Sequence, residues 1–249
     1  QFNPKDMPFL SFWLINTYVY LTLIENIFYE NKIKIYKIIF FAFLTAFLIS
    51  IRITGIIILV QYLVGIVVLY NVKKFDILYF IKKNFLIFKT SLLIFIYLLN
   101  PIFWHNPLEI FNAIEWMSKY HNDICTLTLG DCMRSLNLPS SYYFIWLFFK
   151  LPIIIILGIL IFPLVEEKIF KDKVRTIYYL TLLISFFAIL FVFIFKNISI
   201  YDELRHVIFI VPIIFLIGLI NLFFLNKKTY FGLSLLTLLF FTIENINLN

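Results

Sequence analysis

Arg205 and His206 stand with Asp202 and Glu203 in a short polar stretch between two long apolar runs. Charge at such a position is costly, so it usually serves a use. A guanidinium and an imidazole at the start of a helix, where backbone N–H groups lack partners, suit a phosphate group. The plainer alternative pairs Arg205 with Asp202 or Glu203 in a solvated loop. Both readings are open on spacing alone.

Asp6 lies two residues before Pro8, which is read as opening the first apolar run. Its carboxylate would then sit at the positive end of that helix, either as a cap or as an acid orienting a polar acceptor. Arg52 and Lys150 add cations at similar depth in the chain's apolar pattern. Four cations converging on one cavity would call for an anionic ligand.

Other chemistries find weaker footing. His105, His121 and His206, with Glu109, Glu115 and Asp123, lack the close spacing of metal ligands, so no metal site is assigned and no cofactor is expected. A divalent ion remains only a background alternative. Cys125 and Cys132 are the only cysteines. They are expected as free buried thiols, with a disulfide closing a small loop as the alternative in an oxidising compartment. Serine-protease triads, phosphate-binding glycine loops and dinucleotide fingerprints are not found.

The elements that must position these residues are membrane helices. Hydrophobic residues make up 63% of 249 and charged residues 14%, which leaves too little polar surface for a soluble domain. The net charge of +7 is explained by membrane topology before nucleic acid, which is not an expected partner. Apolar runs at 8–28, 38–51, 53–71, 85–99, 143–163, 177–195, 206–225 and 229–244 predict an all-α bundle of about eight spans. The runs are continuous, which argues against a β-barrel. Arg52 and Gly55 mark a tight turn between the second and third runs.

Connecting segments fix the expected orientation. Lys32, Lys34, Lys37, Lys73, Lys74, Lys82 and Lys83 fall on one side, as do Lys168, Lys171, Lys173, Arg175, Lys227 and Lys228. The other side holds fewer: Lys5, Arg52, Lys119, Arg134, Lys196 and Arg205. The positive-inside rule therefore puts the richer side in the cytoplasm. Residues 72–84 read there as a helix lying on the anionic inner surface, with Phe75, Leu78, Tyr79 and Lys82. The outer face then carries Asp6, the Arg52 turn, a loop at 100–142 and the stretch up to His206. Within that loop, Asn106 is expected to cap an interfacial helix with Pro107 at its first position and Glu109 at its third. Ile110, Ala113, Ile114, Met117 and Tyr120 would share its apolar face.

Several outer-face motifs together resemble the GT-C polytopic glycosyltransferases, in particular family 39 with its protein O-mannosyltransferases and the RgtA/B/C/D-like relatives. Asn3-Pro4-Lys5-Asp6-Met7-Pro8-Phe9 is similar to the family's second outer-loop motif, an Asp before Met/Ile-Pro and a span. Ser50-Ile51-Arg52-Ile53-Thr54-Gly55 is similar to its Arg/Lys-x-Thr-Gly turn. Leu138-Pro139 through Tyr142-Tyr143, then Trp146 and Lys150-Leu151-Pro152, resembles its Pro-x-x-Tyr-Tyr segment leading to Lys-Thr-Pro, with Leu151 in place of Thr. Tyr201-Asp202, Arg205-His206 and Pro212 resemble its Tyr-Asp, Arg-His and Pro segment.

The resemblance implies transfer of a sugar from a polyprenyl-phosphate donor to a protein, lipid or glycan acceptor at the outer leaflet, with inversion at the sugar. It implies donor-phosphate contacts from Arg205, His206, Lys150 and Arg52, substrate contacts from Tyr143, Tyr201 and Asp202, and a supporting acid at Asp6. The family's principal catalytic Asp follows its first span and has no counterpart here. It is expected upstream of Gln1, which makes residues 1–249 one transmembrane domain incomplete at both ends and inactive without that carboxylate. The expected site is a multi-pass protein of a bacterial inner membrane with its active face periplasmic, or of the endoplasmic reticulum in a eukaryote. A transporter or flippase of an anionic lipid is the alternative, since it would use the same cations without bond chemistry.

Overall fold

The computed structural model describes residues 5–30, 32–73, 77–119, 124–135, 138–195, 205–226, 228, 230–232 and 235, and only the backbone of 77–83, 114, 116–119, 205 and 206 among them. Helices α1 (Asp6–Glu30), α2 (Ile35–Ile51), α3 (Ile58–Lys73) and α4 (Ile77–Leu99) come first, with a 3-10 turn over Ile53–Ile57 joining α2 to α3. Then follow α5 (Glu109–Lys119), a hairpin of β1 (Cys125–Thr128) and β2 (Asp131–Arg134), and α6 (Ser141–Lys150). Helices α7 (Ile153–Leu160), α8 (Phe162–Phe170), α9 (Lys173–Phe195) and α10 (Val211–Leu225) follow, with a kinked 3-10 stretch over Arg205–Ile210 leading into α10.

Among the described residues, four helical stretches are long and apolar enough to cross a membrane: Asp6–Glu30, Ile53–Lys73, Lys173–Phe195 and Val207–Leu225. Their outer surfaces fit that solvent. Phe187, Phe191 and Phe195 recur every fourth residue along α9 and are all exposed, a stripe that water would penalise and hydrocarbon would not. Helices α2 and the Asn84–Leu99 part of α4 are apolar but shorter. Most of the expected run at 229–244 lies outside the described residues.

The run at 143–163, expected as one span, is broken. Helices α6 and α7 meet at 113° across Leu151 and Pro152. Proline has no N–H to continue the helix and disfavours helical backbone in the residue before it; Leu151 is accordingly extended, at φ −80° and ψ 131°. The segment 72–84 also differs from expectation, because its described part from Ile77 is the first stretch of α4 and not a separate surface helix.

Packing relies on close backbone approach and on buried polar contacts. Helix α2 runs along α4, α3 along α9, and α7 along α10. A Cβ added at Gly158 of α7 would come within 2.5 Å of the Gly218 carbonyl oxygen in α10, so the two glycines define the crossing. Across α1, α2 and α3 a polar node centres on fully buried Asn16. Its amide donates to the Leu44 carbonyl at 3.1 Å, and its oxygen accepts from Thr45 at 3.1 Å and from the Tyr62 hydroxyl at 3.2 Å. Beside it, Gln61 donates to Thr17 at 3.0 Å. In a medium without water such bonds select one helix register, because a slipped register would strand them.

The bundle has two distinct ends. At one, Asp6 begins α1, and Asn100 after α4 donates to Ser50 near the end of α2 at 2.8 Å. At the other, the Lys73 ammonium donates to the carbonyls of Ile27, at 3.0 Å, and Phe28. There too Lys168 donates to the Phe224 carbonyl at 3.2 Å, and the Arg175 guanidinium lies 4.3 Å from the Phe224 ring centre.

The region 100–142 holds one expected element and one that was not foreseen. Helix α5 begins at Glu109, two residues later than expected, because the Asn106 side chain accepts from the Leu108 N–H at 3.1 Å and closes a turn first. The hairpin pairs Cys125 with Arg134 and Thr128 with Asp131 across a tight Leu129-Gly130 turn in which both residues have positive φ. Cys125 and Cys132 are joined by a disulfide, which corrects the expectation of free buried thiols. Both residues are exposed on strands whose register brings their Cα atoms to 5.5 Å, a separation that suits a bridge.

Candidate functional site at the Asp6 end

Asp6 is the first helical residue of α1, and the Lys5 carbonyl accepts from Phe9 N–H at 3.1 Å. The helix therefore opens before Pro8, and the carboxylate lies in the first turn, where the N-terminal partial charge favours an anion. It is largely buried. Arg52 occupies the hinge between α2 and the Ile53–Ile57 turn with extended backbone, φ −147° and ψ 131°. Its N–H donates to the Leu48 carbonyl at 3.3 Å and its own carbonyl accepts from Gly55 at 2.8 Å.

These two side chains meet. Arg52 Nη2 donates to Asp6 Oδ1 in a charge-assisted bond. The side chains are 17% and 10% exposed, so the pair is shielded but not sealed. The guanidinium carbon also lies 5.8 Å from the Phe9 ring centre. Gly55 makes the approach possible, because a Cβ there would press on the Leu48 carbonyl oxygen at 3.0 Å and on Ile49 Cα at 3.2 Å. The tight turn expected at Arg52 and Gly55 is thus a 3-10 turn held against the end of α2.

Beneath the pair lies an aromatic layer. Phe209, from the turn that leads into α10, sits 4.2 Å from Trp13 and 5.6 Å from Phe9, measured between ring centres. Arg205 and His206 open the same stretch and are separated from Phe209 by a kink at Val207, φ −115° and ψ 18°. The stretch as a whole packs against α1; the side chains of Arg205 and His206, with all of Tyr201 and Asp202, lie outside what the structure describes. Tyr143 is buried in the same hydrophobic core as Phe9, Trp13 and Phe209, as is Tyr142.

Lys150 is the last residue of α6, immediately before the bend. Its ammonium lies 5.5 Å from the Trp146 ring centre one turn earlier, and its side chain is exposed. Trp146 in turn donates its indole N–H to Thr128 of β1 at 3.2 Å. The disulfide-closed hairpin is thereby tied to the helix that carries Lys150. Among the described residues no group of three or more His, Cys, Asp and Glu side chains comes together as a metal site; His121, Asp123 and the His206 side chain lie outside them.

Two features escaped the sequence reading. The pairing of Asp6 with Arg52 was missed because each had been given its own ligand, although opposite charges at neighbouring helix ends are a signal for a bond. The polar node below the site was missed as well, although Asn16, Thr17 and Gln61 are conspicuous within apolar runs. Comparison with protein-family models, curated proteins and solved structures finds no match to this chain.

Proposed function

We propose that the chain is a membrane glycosyltransferase that moves a sugar from a polyprenyl-phosphate donor to an acceptor at the outer face of the membrane. The observation that carries this reading is the Asp6–Arg52 pair at the end of the bundle to which the Arg205–Ile210 turn is anchored through Phe209. The backbone stretches that begin at Asp6 and at Arg205 come to one end of the fold, which supports the reading drawn from the resemblance to the GT-C enzymes.

In the proposed reaction an acceptor oxygen attacks the anomeric carbon. The bond from that carbon to the phosphate oxygen breaks, the acceptor proton passes to a carboxylate, and the lipid phosphate leaves with its negative charge. Arg205 and His206 are assigned to the phosphate, with Lys150 assisting, because fixed cations in a water-poor site stabilise the departing charge. Arg52 holds the Asp6 carboxylate in place, and a guanidinium with five N–H donors retains capacity for a second anion. Asp6 orients the acceptor or supports the base, Tyr143, Tyr201 and Asp202 contact substrate, and the general base is the carboxylate of the family's first outer loop. The proposed setting is a bacterial inner membrane with the active face periplasmic.

A second reading, a flippase for an anionic lipid, draws on one observation: the 113° break between α6 and α7 beside Lys150, since broken helices recur in transporters. The two separate in vesicles containing the full-length protein and radiolabelled polyprenyl-phosphate sugar. Glycosyl transfer is expected from wild type, with losses of a hundredfold or more in Arg205→Ala, on the order of one lost oxyanion contact. Normal turnover in both Arg205→Ala and Asp6→Asn would remove these assignments, and labelled lipid crossing the bilayer with no sugar transferred would establish the flippase.

A further inference from the structure

A cavity of about 350 Å³ lies between α1, α2, α3 and α4, with Tyr20, Phe41, Tyr62, Ile66, Leu69 and Phe88 among its walls. Its size falls within the ~300–1,000 Å³ range of cavities that hold ligands. The polar tips of its tyrosines are engaged elsewhere. The Tyr20 hydroxyl donates to the Tyr62 carbonyl, and the Tyr62 hydroxyl reaches Thr45 at 3.1 Å and Asn16 at 3.2 Å. What faces the cavity is therefore ring and hydrocarbon, which offers water too few partners to stay. Left empty, the walls would forfeit dispersion contacts. Leu63 and Phe85, which also line it, are 64% and 55% exposed, so the cavity opens at the outer surface of α3 and α4.

We propose that this cavity binds one acyl chain of an anionic phospholipid, with the headgroup at the Lys73 end of the bundle. Hydrocarbon is the solvent at that surface, and an aliphatic chain is the ligand whose chemistry matches the walls. Charge complementarity selects the headgroup. The cavity reaches Ile27 and Leu69. The Ile27 carbonyl accepts from the Lys73 ammonium at 3.0 Å, and Leu69 precedes Lys73 by one helical turn. Asn84 also lines the cavity. Position separates this lipid from the proposed sugar donor. Tyr20 and Ile27 lie roughly 20–30 Å along α1 from Asp6, so the phosphate of a donor held at the Asp6 end would be in the opposite leaflet. The inference rests on the bundle being in a bilayer and not on glycosyl transfer, so failure of the sugar-transfer assay leaves it standing.

The test uses the full chain in phosphatidylcholine vesicles with a trace of phosphatidylglycerol bearing a photoactivatable diazirine in its acyl chain, followed by peptide mapping. Adducts are expected to concentrate on peptides holding Ile66 and Phe85 to Phe88. Ile66→Trp, which fills the cavity, should lower that labelling at least fivefold, and Phe88→Ala, which enlarges it, should preserve or raise it. Lys73→Gln should reduce the preference for phosphatidylglycerol over an equivalent phosphatidylcholine probe about threefold. Labelling spread evenly over exposed faces such as Phe187 and Phe191, indifferent to both cavity variants in folded protein, would overturn the proposal. So would displacement of the label by low concentrations of polyprenyl phosphate, which would make the donor chain the occupant.

Discussion

Arg52 bonds Asp6 across the gap between the α2–α3 hinge and the first turn of α1, and so fastens three helices at one point. Hydrogen bonds to charged groups contribute about 1.5–3 kcal/mol, and the partial exposure of this pair argues for the lower part of that range. Arg52→Ala is expected to destabilise the purified protein by about 2 kcal/mol, because it also strands a largely buried carboxylate. Asp6→Asn combined with Arg52→Gln should cost less than the sum of the single changes. Thermal unfolding in one detergent across the four proteins measures the coupling; strict additivity would mean that the bond contributes nothing.

Much of this end of the molecule was legible in the sequence, and the misses have physical causes. Asp6, Arg52 and Gly55 stood out because charge and glycine are conspicuous against long apolar runs, and the order of those runs put them at one end of the expected bundle. Hydropathy is blind to direction within an apolar run, so the bend at Leu151-Pro152 was hidden inside a continuous hydrophobic stretch. The hairpin was hidden for another reason. Its tight turn is Leu129-Gly130, with leucine at φ 54° where the familiar signal would be Asn or Asp. Without a hairpin in view, Cys125 and Cys132 had no register to bring them into diagonal contact across two strands, and free thiols seemed the simpler state. The cavity between α1 and α4 has no sequence signature, since the same residues in better-filled contact would give an identical hydropathy profile.

Gly158 should be among the least tolerant positions in the bundle. A methyl group there meets the Gly218 carbonyl at 2.5 Å, and both partners are backbone that cannot rotate away. Gly158→Ala gains helix propensity worth about 1 kcal/mol, but separating α7 from α10 should cost about 1–3 kcal/mol, so a net loss is expected. Gly232, where an added Cβ meets nothing within 4 Å among the described residues, is the control, and alanine there should be neutral or stabilising. A lowered unfolding temperature for Gly158→Ala alone is the expected result; equal behaviour of the two would mean that α7 and α10 are not in close contact.

The disulfide should be detectable without any functional assay. Protein purified without reductant is expected to resist maleimide labelling after unfolding and to accept two labels once reduced, since Cys125 and Cys132 are the only cysteines. Closing so short a loop contributes about 2–3 kcal/mol at most by the chain-entropy relation. Its loss should therefore loosen the hairpin without unfolding the bundle. Because Trp146 donates to Thr128, reduction should also shift the tryptophan emission of α6, and Trp146→Phe would remove that change. Labelling of both thiols in unreduced protein would exclude the bridge.

The polar node around Asn16 offers the sharpest test of how the helices recognise one another. Its side chain connects α1 to the Leu44 carbonyl and Thr45 of α2 and to Tyr62 of α3, all at 3.1 to 3.2 Å. Interhelical bonds of this kind average about 0.6 kcal/mol and reach nearly 2. Asn16→Leu removes three at once, while Thr45 keeps the Phe41 carbonyl and the Tyr62 hydroxyl as partners, so a loss of about 2 kcal/mol is expected. Thr45→Val alone should cost less than 1 kcal/mol, because Tyr62 still reaches the Asn16 oxygen. Steric unfolding in mixed micelles, with denaturing detergent as the variable, ranks the two variants. If Thr45→Val proved as damaging as Asn16→Leu, the node would depend on the threonine and not on the amide that joins all three helices.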